Sequence, residues 1–399
     1  MANSHHTAVV GGGTAGAATA ILLARDGHDV TLFERVPRPG PVGAGILLQP
    51  TGMTVLNELG LLDATLAFGA PVRRLHGTSA TGRRVLDVRY EDLSPGAFGL
   101  GLHRGALFSL LWDALAPAGV AVRTGVGVDG LAQDAGGVML SAGDQEVGRF
   151  DLVVLADGTR SQLRARLSVA QQVRPYPWGA LWALVEDPGE IRGELRQWFR
   201  GARQMLGLMP TGCAPGHPSR PMLSLFWSLP VAALPAWRAG GLAAWKQEVR
   251  ALAPVDAVLD AVTDPSQLGF AEYADVRMRQ WHQGRVVCLG DCAHATSPQL
   301  GQGANLALVD ARALARCLRG GGGVADALAR YTRERRAHLR YYQWASRWLT
   351  PFFQSNSRLA AAARDLALGP LCRAPWIRGQ MARTLGGRKS GLLWGEFAP

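Results

Sequence analysis

The sequence has no uninterrupted apolar run of about 18 residues, the length that a membrane-spanning helix requires. Its first six residues also lack the basic segment followed by an apolar core that marks a secretory signal peptide. The absence of both features predicts a soluble, cytoplasmic protein.

Cysteine is scarce, with five residues in a chain of 399. The number is odd, and no second pair of ligands accompanies Cys288 and Cys292. A disulfide framework and a structural zinc site both need paired cysteines at regular spacing, so neither is expected. The sequence therefore predicts free thiols and no metal site.

Charged residues are few, at 18 %, whereas hydrophobic residues make up 48 %. This balance excludes an intrinsically disordered chain and is typical of a globular enzyme. A chain of this length can bury a large core, and we expect two closely packed domains.

The basic charge is concentrated near the C-terminus. From Ala311 onward there are 16 Arg or Lys against 4 Asp or Glu, and lysine occurs only at Lys246 and Lys389. Three interpretations stay open: arginine-rich helices packed against the body or a second copy in a homodimer, weak attraction to an anionic membrane, and nucleic-acid binding. The last is disfavoured because no recognition motif accompanies the charge.

A glycine-rich turn near the N-terminus separates a short apolar strand from a helix of small and aliphatic residues. The glycines fit Gly11-x-Gly13-x-x-Gly16, and Glu34 follows 18 residues after the last of them. In a dinucleotide site the first glycine makes the tight turn, the second admits the pyrophosphate, and the third lets helix and strand pack closely. An acid at about this distance binds ribose hydroxyls. The pattern therefore predicts a Rossmann-like dinucleotide site.

Residues Gly125 to Gly130 fit the same glycine spacing without the same context. An early Gly-Gly pair and an alternating apolar segment follow them, which is typical of a β-hairpin. No helix begins there to receive a phosphate. We therefore predict a hairpin instead of a second dinucleotide turn.

A second strand, turn and helix occur between residues 285 and 310. An apolar run ends at Gly290-Asp291, a loop with Pro298, Gly301 and Gly303 follows, and an Ala/Leu-rich helix begins near Asn305. This arrangement presents a carboxylate to a polyol or ribose hydroxyl, and it points backbone N–H groups at an electron-rich group. It suits a large, polar, redox-active cofactor.

The element pattern predicts an α/β fold, α+β overall. Residues 1–174, which include a predicted hairpin over 72–90, and residues 271–330 form the cofactor-binding part. Residues 175–270 hold short β-prone segments between Gly/Pro turns, so we expect an inserted antiparallel sheet that binds substrate. Residues 331–399 form a basic helical C-terminal segment.

Three motifs in fixed order give the chain a family resemblance. They are the first glycine turn, Asp157-Gly158-x-Arg160-Ser161-x-x-Arg164, and Gly290-Asp291 with the loop to Asn305. Together they resemble the class A FAD-dependent monooxygenases related to p-hydroxybenzoate hydroxylase, in the compact form without a thioredoxin-like C-terminal domain. The resemblance implies a Rossmann-like FAD-binding domain, the inserted sheet as substrate domain, and a helical tail.

The resemblance also implies roles for individual residues. The glycine turn approaches the FAD pyrophosphate, Glu34 binds the adenosine ribose, Asp157 helps to hold the cofactor, and Asp291 binds the ribityl chain. Backbone N–H groups from Gly303 to Asn305 support the isoalloxazine as negative charge develops. The complete set of implied FAD-binding residues is Gly11, Gly13, Ala15, Gly16, Glu34, Arg35, Arg104, Asp157, Asp291, Pro298, Gly303, Ala304 and Asn305.

The implied reaction uses NADH or NADPH to reduce FAD. Dioxygen then gives a flavin C4a-hydroperoxide, which passes one oxygen to an aromatic or heteroaromatic substrate. Pro298 and Gly301 border the flavin face where this occurs. The substrate candidates are Leu47, Trp182, Trp198, Met205 and Phe226.

No side-chain base is evident from the motifs. Tyr176, Arg196 and a residue of the tail are candidates, whereas His103 and His294 adjoin cofactor motifs. Two positions depart from the family pattern, with Cys292 in place of Ala and Val309 in place of Glu.

Three other functions stay open. A flavin-dependent halogenase would need a Trp-x-Trp-x-Ile-Pro stretch and a lysine near the motifs, which this chain lacks. The basic tail motivates a membrane-associated quinone-ring hydroxylase. A non-catalytic flavin-binding protein is the third alternative.

Overall fold

The computed structural model describes residues 4–392 and 395–397. Residues 1–3, part of the stretch that was inspected for a signal peptide, lie outside the described residues. So do residues 393, 394, 398 and 399 of the predicted C-terminal segment. None of the helices in the described ranges has both the length and the apolar character to traverse a bilayer.

The described residues form a mixed α/β structure of strands and helices. The strands are β1 His6–Val10, β2 Asp29–Glu34, β3 Gly45–Leu48, β4 Ala70–Val72, β5 Arg74–Ser79, β6 Arg84–Arg89, β7 Gly99–His103, β8 Ala121–Thr124, β9 Gly130–Asp134, β10 Gly137–Ala142, β11 Gln145–Phe150, β12 Leu152–Leu155, β13 Gln171–Glu186, β14 Glu194–Arg200, β15 Gln204–Ala214, β16 His217–Pro230, β17 Gly269–Met278, β18 His282–Gln283 and β19 Val286–Cys288. The helices are α1 Thr14–Arg25, α2 Pro50–Glu58, α3 Leu62–Phe68, α4 Arg104–Asp113, α5 Leu234–Arg250, α6 Asp256–Asp260, α7 Asp291–His294, α8 Gly303–Arg319, α9 Val324–Phe353, α10 Arg358–Leu371 and α11 Pro375–Leu385.

A six-stranded sheet with the order β18-β19-β12-β1-β2-β8 forms the centre of the cofactor-binding part. Its inner strands are short runs of buried apolar residues, as expected for a parallel sheet that is covered on both faces. Val10, Leu155 and Cys288 stand side by side at the carboxyl ends of β1, β12 and β19. The loops after these strands carry the three motifs, so parallel pairing brings all three motifs to one edge of the sheet.

The second glycine stretch, Gly125 to Gly130, leads into a hairpin, as predicted. Strands β9 and β10 pair antiparallel, and β11 completes a three-stranded sheet. No helix follows Gly130 to receive a phosphate. The surrounding residues thus distinguish this turn from the dinucleotide turn at Gly11.

A seven-stranded sheet with the order β17-β13-β16-β15-β14-β5-β6 contains the predicted antiparallel segments. The hairpin predicted over residues 72–90 is confirmed as β5 and β6. Its assignment to the cofactor-binding part needs correction, because β5 pairs in parallel with β14 and extends the seven-stranded sheet. The other domain boundaries stay predictions.

The seven-stranded sheet has two different faces because successive side chains of a strand point in opposite directions. Leu181, Leu225 and Trp227 pack with Trp245 of α5 and with α6, and we call this side the outer face. Leu195 and Met209 point the other way and pack with Leu47 of β3; this side is the inner face. The inner face therefore looks toward the cofactor-binding part.

A buried polar chain ties α9 to the cofactor-binding part. The Asp310 carboxylate on α8 accepts a hydrogen bond from Arg335 Nε at 2.8 Å, and Arg335 Nη1 contacts His338 Nδ1 at 2.6 Å. Because a guanidinium group can only donate, Nδ1 must accept. His338 Nε2 then donates to the Gly387 carbonyl oxygen at 2.7 Å. His338 is therefore held in its neutral Nε2–H form.

His338 makes the stability of this arrangement sensitive to acid. Burial, reinforced by the charge of Arg335, lowers the pKa of His338 well below the ordinary value of 6.5. The unfolded chain binds a proton below pH 6.5, whereas the folded chain does not. The free energy of unfolding should therefore fall as the pH drops below that value, by up to about 1.4 kcal/mol per pH unit from this one residue.

Replacing His338 by Gln should make this decline in acid shallower. The measurement is the midpoint of urea unfolding between about pH 8 and about pH 5.5, a range that brackets the titration of an unfolded histidine. His6→Gln, at an exposed position on β1, is the control and should follow the wild type. An identical pH dependence in the His338 variant and the wild type would contradict this account of the residue.

Candidate active site

The turn after β1 contains glycines with different environments. A Cβ atom built on Gly16 would lie 1.8 Å from the Gly11 carbonyl oxygen, and one on Gly11 would lie 2.6 Å from the Ala156 carbonyl oxygen. Gly13 is exposed, and no heavy atom of the described chain lies within 4 Å of such a Cβ. Gly11 and Gly16 thus allow close backbone packing, whereas Gly13 leaves the N-terminus of α1 open to a ligand.

Glu34 lies at the end of β2, beside this turn. Its Oε2 accepts a hydrogen bond from the Gly12 N–H group at 2.9 Å, and its Oε1 accepts one from Val36 at 2.9 Å. The two bonds fix the carboxylate next to the N-terminus of α1, the position expected for ribose binding. Arg35 follows as an exposed residue, and Arg104, also exposed, begins α4 and lies beside Gly43.

The middle motif joins the other two. The buried Arg164 donates to the Cys292 carbonyl oxygen at 2.8 Å, to the Thr159 carbonyl oxygen at 3.1 Å and to Gln171 at 3.0 Å. The side chain therefore holds the loop after β12 against the loop after β19. Asp157, at the start of this motif, is half-buried, and its buried Oδ1 atom has no hydrogen-bond partner within the described residues. Burial raises the pKa of Asp157, although bonds from Ser161 and Cys292 oppose this rise.

The loop after β19 meets the first glycine turn directly. Gly290 has a φ of +56°, and a Cβ on it would lie 3.0 Å from Ala15 Cβ, in the first turn of α1. The exposed carboxylate of Asp291 lies near Gly303, with its Oδ1 3.9 Å from the position of a Cβ there. The fold thus brings the loop that carries Asp291 against the first turn of α1.

Asn305 fixes the loop of residues 295–302, before α8, through its side chain. We call this segment the flavin-face loop after the role that the family resemblance implies for Pro298 and Gly301. Its Oδ1 accepts from the Gln49 N–H group at 2.7 Å, and its Nδ2 donates to the carbonyl oxygens of Leu47 and Gly301, at 3.2 Å each. The amide therefore ties the end of β3 to the loop before α8. Gly303, Ala304 and Asn305 form the first turn of α8, and the N–H groups of a first helical turn have no partner inside the helix. They can support an electron-rich ligand.

These residues fit the flavin dinucleotide that the motifs imply. The open space at Gly13 and the N-terminus of α1 suit a pyrophosphate. The unpartnered, buried Oδ1 of Asp157 can accept a hydrogen bond from a bound group. The N-terminus of α8 suits a ring system that gains negative charge on reduction.

Most of the predicted substrate residues share the inner face. Trp182 and Phe226 are neighbours on β13 and β16, and their sequence neighbours Leu181 and Leu225 belong to the outer face. Leu47 lies next to the loop before α8, with its Cβ 3.9 Å from the position of a Cβ on Gly301. Met205 also points inward but packs with Phe199 and Phe353 in a closed cluster.

Trp198 and Arg196 are corrections to the sequence-based assignment. Trp198 packs against the cluster beneath α5, on the outer face. Arg196 pairs with Leu208 of that cluster and binds Glu194 at 3.2 Å. The two residues are two positions apart on β14, so their side chains lie on the same, outer face of the sheet. Neither can therefore share a pocket with Trp182, which lies on the inner face.

A polar cluster around the buried Asp275 lies where β13 pairs with β17. The Tyr176 hydroxyl donates to Asp275 Oδ1 at 2.7 Å, and Arg347 Nη1 lies 3.8 Å from Asp275 Oδ2. Burial raises the pKa of Asp275, against the opposing effects of Tyr176 and the nearby arginines. Burial raises the pKa of Tyr176 as well, and the negative Asp275 adds to this rise. The cluster adjoins Ser297, the residue before Pro298.

Helix α9 holds the same loop from its other side. Ser297 Oγ bonds to Ser346 at 2.8 Å and to Thr350 at 2.7 Å, and Gln299 donates to Gln354 at 2.9 Å. The flavin-face loop therefore lies between the polar cluster and α9.

Two histidines have structural roles. His103 Nδ1 accepts from the Gly105 N–H group at 2.9 Å and caps α4. His294 is buried, with its Nε2 atom 2.5 Å from Asp310 Oδ2. The family departure Val309 is buried in the hydrophobic core, where the usual acid would need a buried partner.

Sequence reasoning assigned no role to several residues of the site. Arg164 and Asp310 stand inside or beside the quoted motifs, so their positions in the sequence already indicate a possible role in the site. Asp275 and Arg347 lie in no motif, and only the packing of α9 against β17 brings them to Tyr176.

Comparisons with known proteins agree with this geometry. Residues 4–343 match the family described as FAD binding domain. A 2-heptyl-3-hydroxy-4(1H)-quinolone synthase from Mycobacteroides abscessus is 30 % identical over 379 residues, 93 % of this chain and 95 % of that protein. A 3-amino-4-hydroxybenzoate 2-monooxygenase from Streptomyces cremeus is 34 % identical over 325 residues, 78 % of each chain. Klebsiella pneumoniae HpxO, solved with FAD and uric acid, aligns with a TM-score of 0.83 and 25 % identity over 96 % of this chain and 97 % of that one.

Alanine at Gly13 and at Gly16 should have opposite consequences. Gly13→Ala adds a methyl group in open space, so the protein should fold normally but bind FAD more weakly. Gly16→Ala forces a Cβ onto the Gly11 carbonyl oxygen, so the variant should lose stability even without FAD. The measurements are FAD affinity by titration and the thermal midpoint of the apoprotein. Equal losses of apoprotein stability in both variants would contradict the assignment of Gly13 to the ligand.

Proposed function

The chain belongs to the FAD binding domain family as one of its flavoprotein aromatic hydroxylases, so it is an FAD-dependent monooxygenase, and we propose that it uses NADH or NADPH and dioxygen to hydroxylate an aromatic or heteroaromatic small molecule. One observation carries this proposal: three motifs converge at the carboxyl edge of the parallel sheet, opposite the aromatic inner face of a second sheet. That juxtaposition supports a flat ring held between cofactor and protein.

When bound, FAD would supply the redox chemistry, with NADH or NADPH as the electron donor and dioxygen as the source of oxygen. The protein holds the cofactor with the glycine turn, Asp157 and Asp291, as proposed from the motifs. The N–H groups at the start of α8 would favour negative charge on a ring system bound there. Leu47, Trp182 and Phe226 form apolar walls that orient the substrate ring and exclude water.

The Tyr176 and Asp275 pair is suited to remove a proton from the substrate. The Tyr176 hydroxyl can accept the proton of a phenol or ring N–H group while it passes its own proton to Asp275 Oδ1, 2.7 Å away. Burial raises the pKa of Asp275 and so makes it a stronger base than an exposed aspartate. A deprotonated ring is more electron-rich and accepts oxygen more readily.

The positions of the two lysines favour a hydroxylase over a halogenase. Lys246 lies on α5, behind the outer face of the sheet. Lys389 donates to Gln380 of α11 at 2.6 Å and to the Leu392 carbonyl oxygen at 3.2 Å. Neither residue borders the convergence of motifs.

The test of the function is a screen for substrate-dependent consumption of NADH or NADPH by the FAD-loaded enzyme. Phenols, hydroxypyridines, quinolones and amino-hydroxybenzoates are the first compounds to examine. We expect at least one class to accelerate consumption and to yield a product heavier by one oxygen atom. Nucleotide oxidation that gives only hydrogen peroxide with every class would overturn the proposal.

Tyr176→Phe should impair hydroxylation without loss of fold or cofactor. Removal of a general base or its relay costs on the order of 100-fold in rate, so the rate of product formation should fall by about that factor. The acidic limb of its pH profile should also change, since the proton no longer reaches Asp275. Product formation and hydrogen peroxide are measured together, because lost coupling diverts oxygen to peroxide.

The matched control is Tyr341→Phe, which also removes a hydrogen-bonded hydroxyl. Tyr341, on α9, bonds Thr384 of α11 at 2.6 Å and makes no hydrogen bond to the polar cluster, so its loss should affect stability alone. Wild-type kinetics and pH profile in the Tyr176 variant would exclude the relay.

A further inference from the structure

Helix α10 exposes an apolar face. Its exposed positions recur at helical spacing and form one stripe along the helix. Leu359 is 84 % exposed, Leu366 63 % and Leu371 44 %. Apart from Arg358, the stripe carries only apolar side chains, chief among them Leu359, Ala362, Ala363, Leu366, Ala367 and Leu371. Surface helices of globular proteins normally show the reverse pattern.

The opposite side of α10 buries a charge. Arg364 is almost fully buried, donates to the Phe352 carbonyl oxygen at 2.9 Å, and pairs with Asp365 at 2.6 Å. Its guanidinium group also lies 4.7 Å from the ring centroid of Phe199 and 5.4 Å from that of Phe353. Rotating the helix to bury its leucines would break these contacts. The apolar stripe is therefore a fixed feature of the surface.

Helix α9 exposes a second stripe of different character. Arg333, Arg336 and Arg340 are followed at the same helical spacing by Trp344 and Trp348. The two tryptophans are stacked with ring centroids 5.9 Å apart, and they are 41 % and 56 % exposed. Trp376, near the start of α11, is 51 % exposed. We call the exposed stripes of α9 and α10 together with Trp376 the tail surface.

The arginines of the tail surface have no carboxylate partners among the described residues. Arg333, Arg336, Arg340 and Arg358 are exposed and form no ion pair there. By contrast, Arg378 pairs with Asp92 at 3.0 Å. Several other arginines after Ala311 pair with carboxylates, among them Arg312 with Glu58 and Arg319 with Asp26, so the positive charge of the tail surface comes from its own unpaired arginines.

We propose that the tail surface docks on an anionic lipid bilayer. Exposed leucine and tryptophan side chains on the same C-terminal helices as unpaired arginines are a composition typical of a membrane interface, with the apolar groups inserted and the cations near lipid phosphates. A second copy of the chain is a poorer occupant, since self-association would place unpaired arginines against one another. In this arrangement the protein lies on the membrane surface and needs no spanning helix, and none of the described helices could span a bilayer. It is independent of the proposed reaction.

The test is flotation of the FAD-loaded full chain with two kinds of vesicle, phosphatidylcholine alone and phosphatidylcholine mixed with phosphatidylserine. We expect the protein to float with the mixed vesicles, to remain behind with the neutral ones, and to dissociate as salt screens the charge. No turnover is needed for this readout. Failure to float with the mixed vesicles at low salt would overturn the proposal.

Two double variants separate the contributions of charge and apolar area. Arg336→Gln with Arg340→Gln should weaken binding on the order of tenfold, because each basic residue near an anionic surface adds to the attraction. Leu359→Gln with Leu366→Gln should weaken it as well. The matched controls are Arg238→Gln on α5 and Val173→Gln on β13, which are exposed outside the tail surface and should bind like the wild type.

Flavin content and thermal midpoint verify that each variant is folded. Undiminished binding by both double variants would contradict the role of the tail surface. If the wild type eluted as a dimer, the leucine variant as a monomer, and neither bound vesicles, a second copy would be the occupant and the proposal would be wrong.

Discussion

Asp310 is the buried charge on which the arrangement of the site depends. Its carboxylate accepts a hydrogen bond from the Gly290 N–H group at 3.0 Å, lies 2.5 Å from His294 Nε2, and accepts one from Arg335 Nε at 2.8 Å. Burial alone would raise the pKa of Asp310, but His294 and Arg335 outweigh it and hold the pKa well below the ordinary value. Because an unpaired buried charge is very costly, these partners must stay in place together. The backbone that positions Asp291 and the helix α9 are thereby fixed to each other.

The long helix α9 follows from this constraint and serves both sides of the molecule. Toward the interior it holds the flavin-face loop through Ser346 and Thr350, and it brings Arg347 to the polar cluster. Toward solvent it carries the arginines and tryptophans of the tail surface. One element thus connects the proposed proton-handling pair with the surface that we assign to lipid.

The two faces of the seven-stranded sheet explain which aromatic residues can form a pocket. Trp182 and Phe226 share the inner face, whereas Trp198 points to the outer face and its cluster beneath α5. All three residues lie in β-prone segments of similar composition. The sequence pattern could identify them as strand residues, but the choice of face depends on which side each neighbouring strand and helix covers.

Local chemistry by itself determined the glycine turns, the helix after Gly13 and the hairpin after Gly130, because each depends on residues close together in sequence. Three such local motifs in fixed order also indicated the family of the chain. The tertiary structure decided the partners of distant groups: the hairpin over 72–90 joins the second sheet, and Asp275 meets Tyr176 and Arg347. Such contacts depend on strand pairing and helix packing between segments far apart in the chain. No local pattern of residues encodes them, since the same side chains would be equally stable in strands and helices with other neighbours.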